Sequence, residues 1–218
     1  MPEVLVADGR VTPVNETTTR RVRAITAGHR ADEREARRGL TDADPRVRSA
    51  AVGALASMGA LSVTDVIAGL HDTAPAVRRR AANEAVRVGG RGSRSELVRS
   101  LVDALDDPDP LVVESAAWSL GERRSERATA GLASVARTHP DARCRETAVA
   151  ALGAIGSADG LQAILESLND KPSIRRRGAV ALAAFDGPRV DEALRRCTRD
   201  RDWQVREIAE ILLDLPPG

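Results

Sequence analysis

Between Asp44 and Gly59 the apolar residues fall in steps of three and four: Val47, Ala50, Ala51, Ala54, Leu55 and Met58. That spacing draws one stripe along one face of an α-helix. Asp44 suits the N-cap and Pro45 the first turn, where a missing N–H costs nothing. Gly59 stands where a helix ends in a left-handed residue. A second amphipathic stretch follows, with Val63, Val66, Ile67 and Leu70 behind Ser62, and Asp65 three residues after the serine as in a capping box. The pattern therefore predicts a helix, a short turn and a second helix.

The same pair of stripes is written again along the chain. Aligned on the first helix, Val47, Val77, Val112, Cys144, Ile174 and Val205 lie 30, 35, 32, 30 and 31 residues apart. Second-helix stripes recur at Val98, Leu101, Val102 and Leu105, at Leu161, Ile164, Leu165 and Leu168, and in weaker form at Val190, Ala193, Leu194 and Cys197. A period of this length marks stacked repeats, because each helix pair carries more apolar surface than it can bury alone. The array spans residues 41–215, as five units and a terminal half unit. Residues 16–40, with Val22, Ile25, Ala36 and Leu40, read as a degenerate capping unit. Residues 1–15 lack helical periodicity and are expected to form a mobile tail. The Gly-rich stretch at 88–95 reads as a joint or a longer turn, and the Pro-Pro-Gly end stops the last helix near Leu215.

The phrases Asp-Pro-Arg-Val-Arg at 44–48 and Ser-Ala-Ala-Trp-Ser-Leu-Gly-Glu at 115–122 resemble HEAT repeats of the short, phycobilisome-lyase-like kind. The resemblance covers roughly 41–215 and implies an all-α, right-handed solenoid of antiparallel helix pairs. It further implies an arginine–aspartate ladder from unit to unit, in which Arg48, Arg78, Arg145, Arg175 and Arg206 occupy one position and Val113 is the exception. Asp42, Asp72, Asp107, Asp170 and Asp200 recur in the preceding turns. In such stacks the second helices usually line the binding surface. Its outward rows would be Thr64, Arg99, Ala130, Gln162 and Asp191; Asp65, Ser100, Gly131, Ala163 and Glu192; and Ala68, Asp103, Ser134, Glu166 and Arg195. Partner-contact candidates are thus Asp65, Arg99, Asp103, Gln162, Glu166, Asp191, Glu192 and Arg195.

Charge narrows the choice of partner. The candidate face sets five carboxylates against two arginines, a sign that repels a phosphate backbone. With 33 basic and 32 acidic residues, the net charge of +1 supplies no global pull towards nucleic acid or membrane. Lys171 is the one lysine, a bias that reads as coding preference. The runs Arg78–Arg80 and Arg175–Arg177 are the best places for phosphate contact and support a nucleic-acid-associated module as the alternative reading. No apolar stretch approaches the roughly 20 residues of a membrane span, and no secretory pattern opens the chain, so a cytoplasmic location is expected.

Candidate chemistry is sparse. Cys144 and Cys197 match no metal spacing and sit in apolar helical patterns, as small core residues. Three histidines, His29, His71 and His139, include no His-Glu dipeptide of the kind that holds iron in the similarly built deoxyhypusine hydroxylase. Trp118 precedes Glu122 by four residues, which resembles the Trp–Asp arrangement of HEAT-like DNA glycosylases, but the acid differs and other base-reading aromatics are missing. Trp118 is expected to pack, and Trp203 to stand at a helix start in place of proline. The sequence reads as a non-catalytic scaffold for a protein partner, with no metal and no cofactor, monomeric by default. A lyase-like enzyme subunit rests on family resemblance alone.

Overall fold

The structure is a computed structural model that describes residues 4–7, 10–13, 16–30, 32–89 and 94–214. It divides into two compact units, Met1–Ser93 and Arg94–Gly218. The boundary falls in the Gly-rich stretch 88–95, of which residues 90–93 lie outside the described set, as do residues 215–218. In the first unit, strands β1 (Val4–Ala7) and β2 (Arg10–Pro13) precede helices α1 (Glu16–Arg30), α2 (Glu33–Gly39), α3 (Pro45–Ser57), α4 (Val63–Leu70) and α5 (Pro75–Glu84). The second contains α6 (Arg94–Asp103), α7 (Pro110–Glu122), α8 (Thr129–Thr138), α9 (Ala142–Ile155), α10 (Leu161–Ser167), α11 (Pro172–Ala181), α12 (Pro188–Cys197) and α13 (Trp203–Leu212).

The fold is an all-α solenoid of stacked antiparallel helix pairs, with first helices packing on first helices. In the first unit α3 lies against α1 and α5, and in the second α9 lies against α7 and α11, with α13 following α11. Much of each predicted stripe is buried: Val47, Ala51, Leu55, Leu101 and Ile164 are nearly sealed from solvent, as are Leu120 and Leu182, while Ala50, Met58, Ile67, Val102 and Leu165 stay partly exposed. Small residues allow the close approach. A Cβ added to Gly153 would lie 2.7 Å from Ala181 Cβ, and one on Gly121 would lie 2.8 Å from Ala151 Cα. No ordinary side chain fits either position without the helices moving apart.

Local sequence sets the helix ends. Asp44, Asp109, Asp141 and Asp202 each accept from the backbone N–H two residues on. Ser62 and Asp65 form the reciprocal capping box, and Gly59 takes φ +69°, the left-handed stop expected there.

Two segments depart from the periodicity. Within the expected tail, β1 and β2 pair antiparallel from Val4↔Pro13 to Ala7↔Arg10. The sequence signal for this hairpin is the β-branched run on either side of Asp8-Gly9, a short-range pattern outside a helical period. In the capping unit, α1 buries Ala24 and Ala27 and leaves Val22 and Ile25 exposed. The helix turns its small face to α3, as the closely packed array requires.

Above the apolar contact runs the ladder. Arg48 spans to Asp72 by two parallel bonds of 2.7 Å, while its third nitrogen donates to the carbonyls of Asp42 and Ala43. Arg145 grips Asp170 at 2.7 and 2.9 Å, and Arg175 grips Asp200 at 2.9 and 2.8 Å. Arg78 and Arg206 make the same carbonyl contacts, to Asp72 and Thr73 and to Asp200 and Arg201. Each aspartate also holds its own turn, as when Asp72 accepts from Ala74 N–H at 2.8 Å. In the capping unit Arg20 takes over the part. Its Nε lies 3.0 Å from Asp42 Oδ2, as an ion pair not aligned into a hydrogen bond.

One rung is replaced on both sides. Val113, fully buried, stands at the arginine position of α7, and His139 stands at the aspartate position of the next turn. His139 Nδ1 accepts from Asp141 N–H at 3.1 Å, just as the aspartate carboxylates accept in the other turns. An imidazole with its proton on Nε2 thus keeps the turn while the salt bridge is dropped.

The hydrogen bond from Arg48 holds Asp72 below the usual carboxylate range, and Arg145 and Arg175 do the same for Asp170 and Asp200. A depressed folded pKa contributes stability above the unfolded value, and that stability is lost as pH falls through the folded one. Urea midpoints should therefore hold from pH 7 to about 4 and drop steeply below it. Arg48→Met should cost about 2–3 kcal/mol at pH 7, less than the roughly 3–5 of a fully buried pair, and should flatten the acid slope.

A double-mutant cycle tests the substituted rung. Val113→Arg alone should destabilise by burying a guanidinium opposite an imidazole. Adding His139→Asp should rebuild the rung and recover at least about 1 kcal/mol beyond additivity, read from chemical denaturation.

Candidate functional site

Three outward rows were expected on the second helices, and two of them are outward. Thr64, Arg99, Ala130 and Gln162 are exposed, and so are Ala68, Asp103, Ser134, Glu166 and Arg195. Asp191 is half-buried and lies 3.9 Å from Arg195. The row of Asp65, Ser100, Gly131, Ala163 and Glu192 turns inward, apart from the exposed Glu192. Ser100 and Ala163 are buried, and a Cβ on Gly131 would come within 2.9 Å of Leu105 Cδ1. One residue along a helix is a rotation of about 100°, enough to carry a side chain from solvent into the seam between neighbouring second helices.

Asp65, a candidate for partner contact, is committed to the fold. Its carboxylate accepts from the Ser62 amide and hydroxyl at 2.9 and 2.7 Å and from Arg37 at 3.1 Å, leaving its side chain 16% exposed. Burial acts to raise its pKa, but the Ser62 and Arg37 contacts outweigh it and the net shift is downward.

Gln162 and Glu166 are likewise tied to neighbours. Arg137 on α8 donates to Glu166 at 2.6 Å, Gln162 donates to Glu166 at 2.7 Å, and Arg189 on α12 donates to Gln162. The Gln162 and Arg137 contacts hold the Glu166 carboxyl below its usual range. These bonds form a second, exposed ladder along α8, α10 and α12. Its arginines, Arg137 and Arg189, were missed in the sequence, as was Arg37 of the first unit, which makes a similar span from α2 to Asp65 of α4. The available signal was a polar partner 27 to 29 residues away, one repeat along the second helices. Withdrawing Asp65 and adding Arg137 also make this face less acidic than the five-to-two count implied. Arg99, Asp103, Glu192 and Arg195 are its exposed charges outside that ladder.

Five of the six arginines in the two runs are engaged within the chain, and Arg79 is exposed with no ion pair among the described residues. Arg80 pairs with Glu84 at 3.2 Å. Arg175 is a ladder rung, Arg176 donates to Gln204 and lies 3.4 Å from Asp202, and Arg177 lies 3.7 Å from Glu146. Counter-charges at these distances remove most of what a phosphate backbone would find there.

On the first helices the surprise is apolar. Trp118, expected to pack, is 43% exposed, and Val180, Trp203 and Ile211 are 48%, 61% and 69% exposed. Trp118, Val180 and Ile211 occupy one register, six residues after Val112, Ile174 and Val205 of α7, α11 and α13. Ala150 fills that register on α9. Trp203 is the first residue of α13 behind the Asp202 cap.

Both cysteines are buried. Cys144 Sγ donates to the Pro110 carbonyl at 3.1 Å, and burial pushes its thiol up to about 11. Burial raises Cys197 as well. A thiol rather than a thiolate at neutral pH is a poor nucleophile. Among the described residues no group of three or more His, Cys, Asp or Glu side chains could hold a metal ion, and no helix is long and apolar enough to cross a membrane.

The chain belongs to the HEAT-repeat family, whose profile matches residues 63–153 and again 129–214. Among solved structures it is similar to the complex of CpcE and CpcF of phycocyanin lyase from Nostoc sp. PCC7120, at 25% identity and a TM-score of 0.60, over 83% of this chain and 75% of that one. An engineered protein shares the fold at 20% identity and TM-score 0.62, covering 84% of this chain and 95% of its own. A designed armadillo repeat protein in complex with the peptide (KR)4 shares it at 15% identity and TM-score 0.57, covering 92% and 99%. No match is found among curated proteins.

Thiol titration checks the cysteine assignment. At pH 8 an aromatic disulfide reagent should label the folded chain only over hours, and both thiols should react within minutes in denaturing urea.

Proposed function

We propose that the protein is a non-catalytic scaffold that binds a protein partner through its solenoid surface. The observation that carries this reading is the set of exposed large apolar side chains Trp118, Val180 and Ile211, at matching positions of α7, α11 and α13, with Trp203 also exposed at the start of α13. Large apolar groups held in register on a rigid surface favour contact with another protein, and tryptophan is among the residues most enriched at the energetic centres of interfaces. The second-helix residues Arg99, Asp103, Asp191, Glu192 and Arg195 offer a separate polar face that would set specificity rather than most of the affinity. The lyase similarity suggests a subunit role, but the buried, raised thiols offer no nucleophile to support chemistry. The engaged arginine runs weigh against nucleic acid.

Capture from a nuclease-treated extract with the intact chain as bait tests the reading. A protein should be retained, and Trp118→Ser with Ile211→Ser should abolish retention while shifting stability by about 0.5 kcal/mol or less, as exposed substitutions do. Asp103→Arg should weaken capture more mildly. Retention that disappears with nuclease treatment, or submicromolar binding to DNA that falls steeply with salt, would overturn it.

A further inference from the structure

The outer face of the first unit carries a groove that differs in chemistry from the apolar row. It runs over α3 between α1 and α5 and encloses about 490 Å³. Its floor is Ala50, Gly53 and Ala54, Ile25 stands on its wall, and three guanidiniums line it from three helices: Arg21, Arg46 and Arg80. No carboxylate is among its lining residues.

The three arginines differ in how they are held. Arg80 is fixed by Glu84 and lies across the bare backbone of Gly53, where a Cβ would come within 3.3 Å of its Cζ. Arg21 and Arg46 are exposed and, among the described residues, make no ion pair. They stand apart from Arg20, Arg37, Arg48, Arg137, Arg145 and Arg175, all of which are spent on carboxylates. Arg46 also sits in the first turn of α3, where the partial positive charge of the helix start adds to its own.

We propose that this groove docks an acidic peptide segment of a partner protein, with carboxylates on Arg21 and Arg46 and a small aliphatic side chain on the Ala50–Gly53 floor between Ile25 and the Glu84-held Arg80. This rests on the protein-binding reading and adds the chemistry of one bound segment. Two features favour a peptide over nucleic acid. No aromatic residue lines the groove, so bases have nothing to stack on. The apolar floor and Ile25, 47% exposed, are covered by carbon side chains, which a phosphodiester backbone lacks. Guanidinium forks suit carboxylates because two parallel bonds form at once.

The test uses the intact chain and a fluorescein-labelled peptide of repeating Glu-Glu-Leu triplets, followed by anisotropy. The matching Lys-Lys-Leu peptide and an oligothymidylate of equal charge serve as comparisons. The acidic peptide should bind, the basic one should not, and the oligonucleotide should bind at least about tenfold more weakly. Arg21→Glu with Arg46→Glu should weaken acidic-peptide binding by about tenfold or more with an unchanged melting temperature. Gly53→Leu, which fills the floor and crowds Arg80 without removing any charge, should weaken it too, whereas Arg99→Glu on the second helices should have no effect. No binding of the acidic peptide, equal or tighter binding of the oligonucleotide, or equal loss in Arg99→Glu would overturn the groove assignment. The scaffold reading would then stand or fall separately, on capture through Trp118 and Ile211.

Discussion

The fold depends on how closely its first helices approach. Where Gly153 meets Ala181 and Gly121 meets Ala151, the gap has no room for one more carbon. That limit explains the alanine-rich stripes, the near absence of aromatic residues, and why α1 presents Ala24 and Ala27 inward in preference to the larger Val22 and Ile25. It also makes the units mutually dependent, since a face of Ala and Gly buries enough apolar area only when covered along its whole length. The arginine rungs then act as registers. A bidentate bond such as Arg48–Asp72 has one workable geometry, so it fixes how far each turn is rotated over the next.

An arginine-rich surface looks cationic in a linear sequence and is much less so once folded. Among the described residues many guanidiniums close rungs between turns, cross from one second helix to another, or neutralise a carboxylate a helical turn away. Under the proposed scaffold role, binding capacity would reside in what this internal pairing leaves over. In the first unit Arg21 and Arg46 are among the guanidiniums that make no ion pair with the described residues, and they stand over a bare α3; the second unit adds the exposed apolar register of Trp118, Val180 and Ile211. In that proposed role the two surfaces would suit different features of a protein partner, one reading charge and the other area.

Repeat length, helix ends and ladder positions were legible because each depends on contacts local in sequence or recurring at a fixed interval. Asp44, Ser62 with Asp65, and Gly59 could be assigned from chemistry within four residues. The outward rows could not, because a helix read in isolation does not say which flank its neighbour covers. Ser100, Gly131 and Ala163 look as solvent-facing as Arg99 and Gln162 until α8 and α10 are packed against their neighbours. Asp65 was visible as a cap, and its inter-helix bond to Arg37 was the piece that withdrew it from the surface. Trp118 misled for a similar reason. Aromatic residues are usually buried, but a stack this tight has no space for an indole, so the ring stands outside. The hairpin of β1 and β2 follows a period of two and was invisible to a search for helices.

The paired exchange of Val113 and His139 has a consequence for how such arrays can be rearranged. Most turns carry an aspartate and most first helices an arginine, so neighbouring units could be recombined with their rungs intact. The α7 helix and the turn before α9 are matched only to each other. Place an aspartate turn after α7 and its carboxylate meets valine; place the His139 turn after α3 and Arg48 loses its acceptor. The exchanged pair acts as a lock and its own key, assigning α7 and α9 their order in a series whose other members are close to interchangeable.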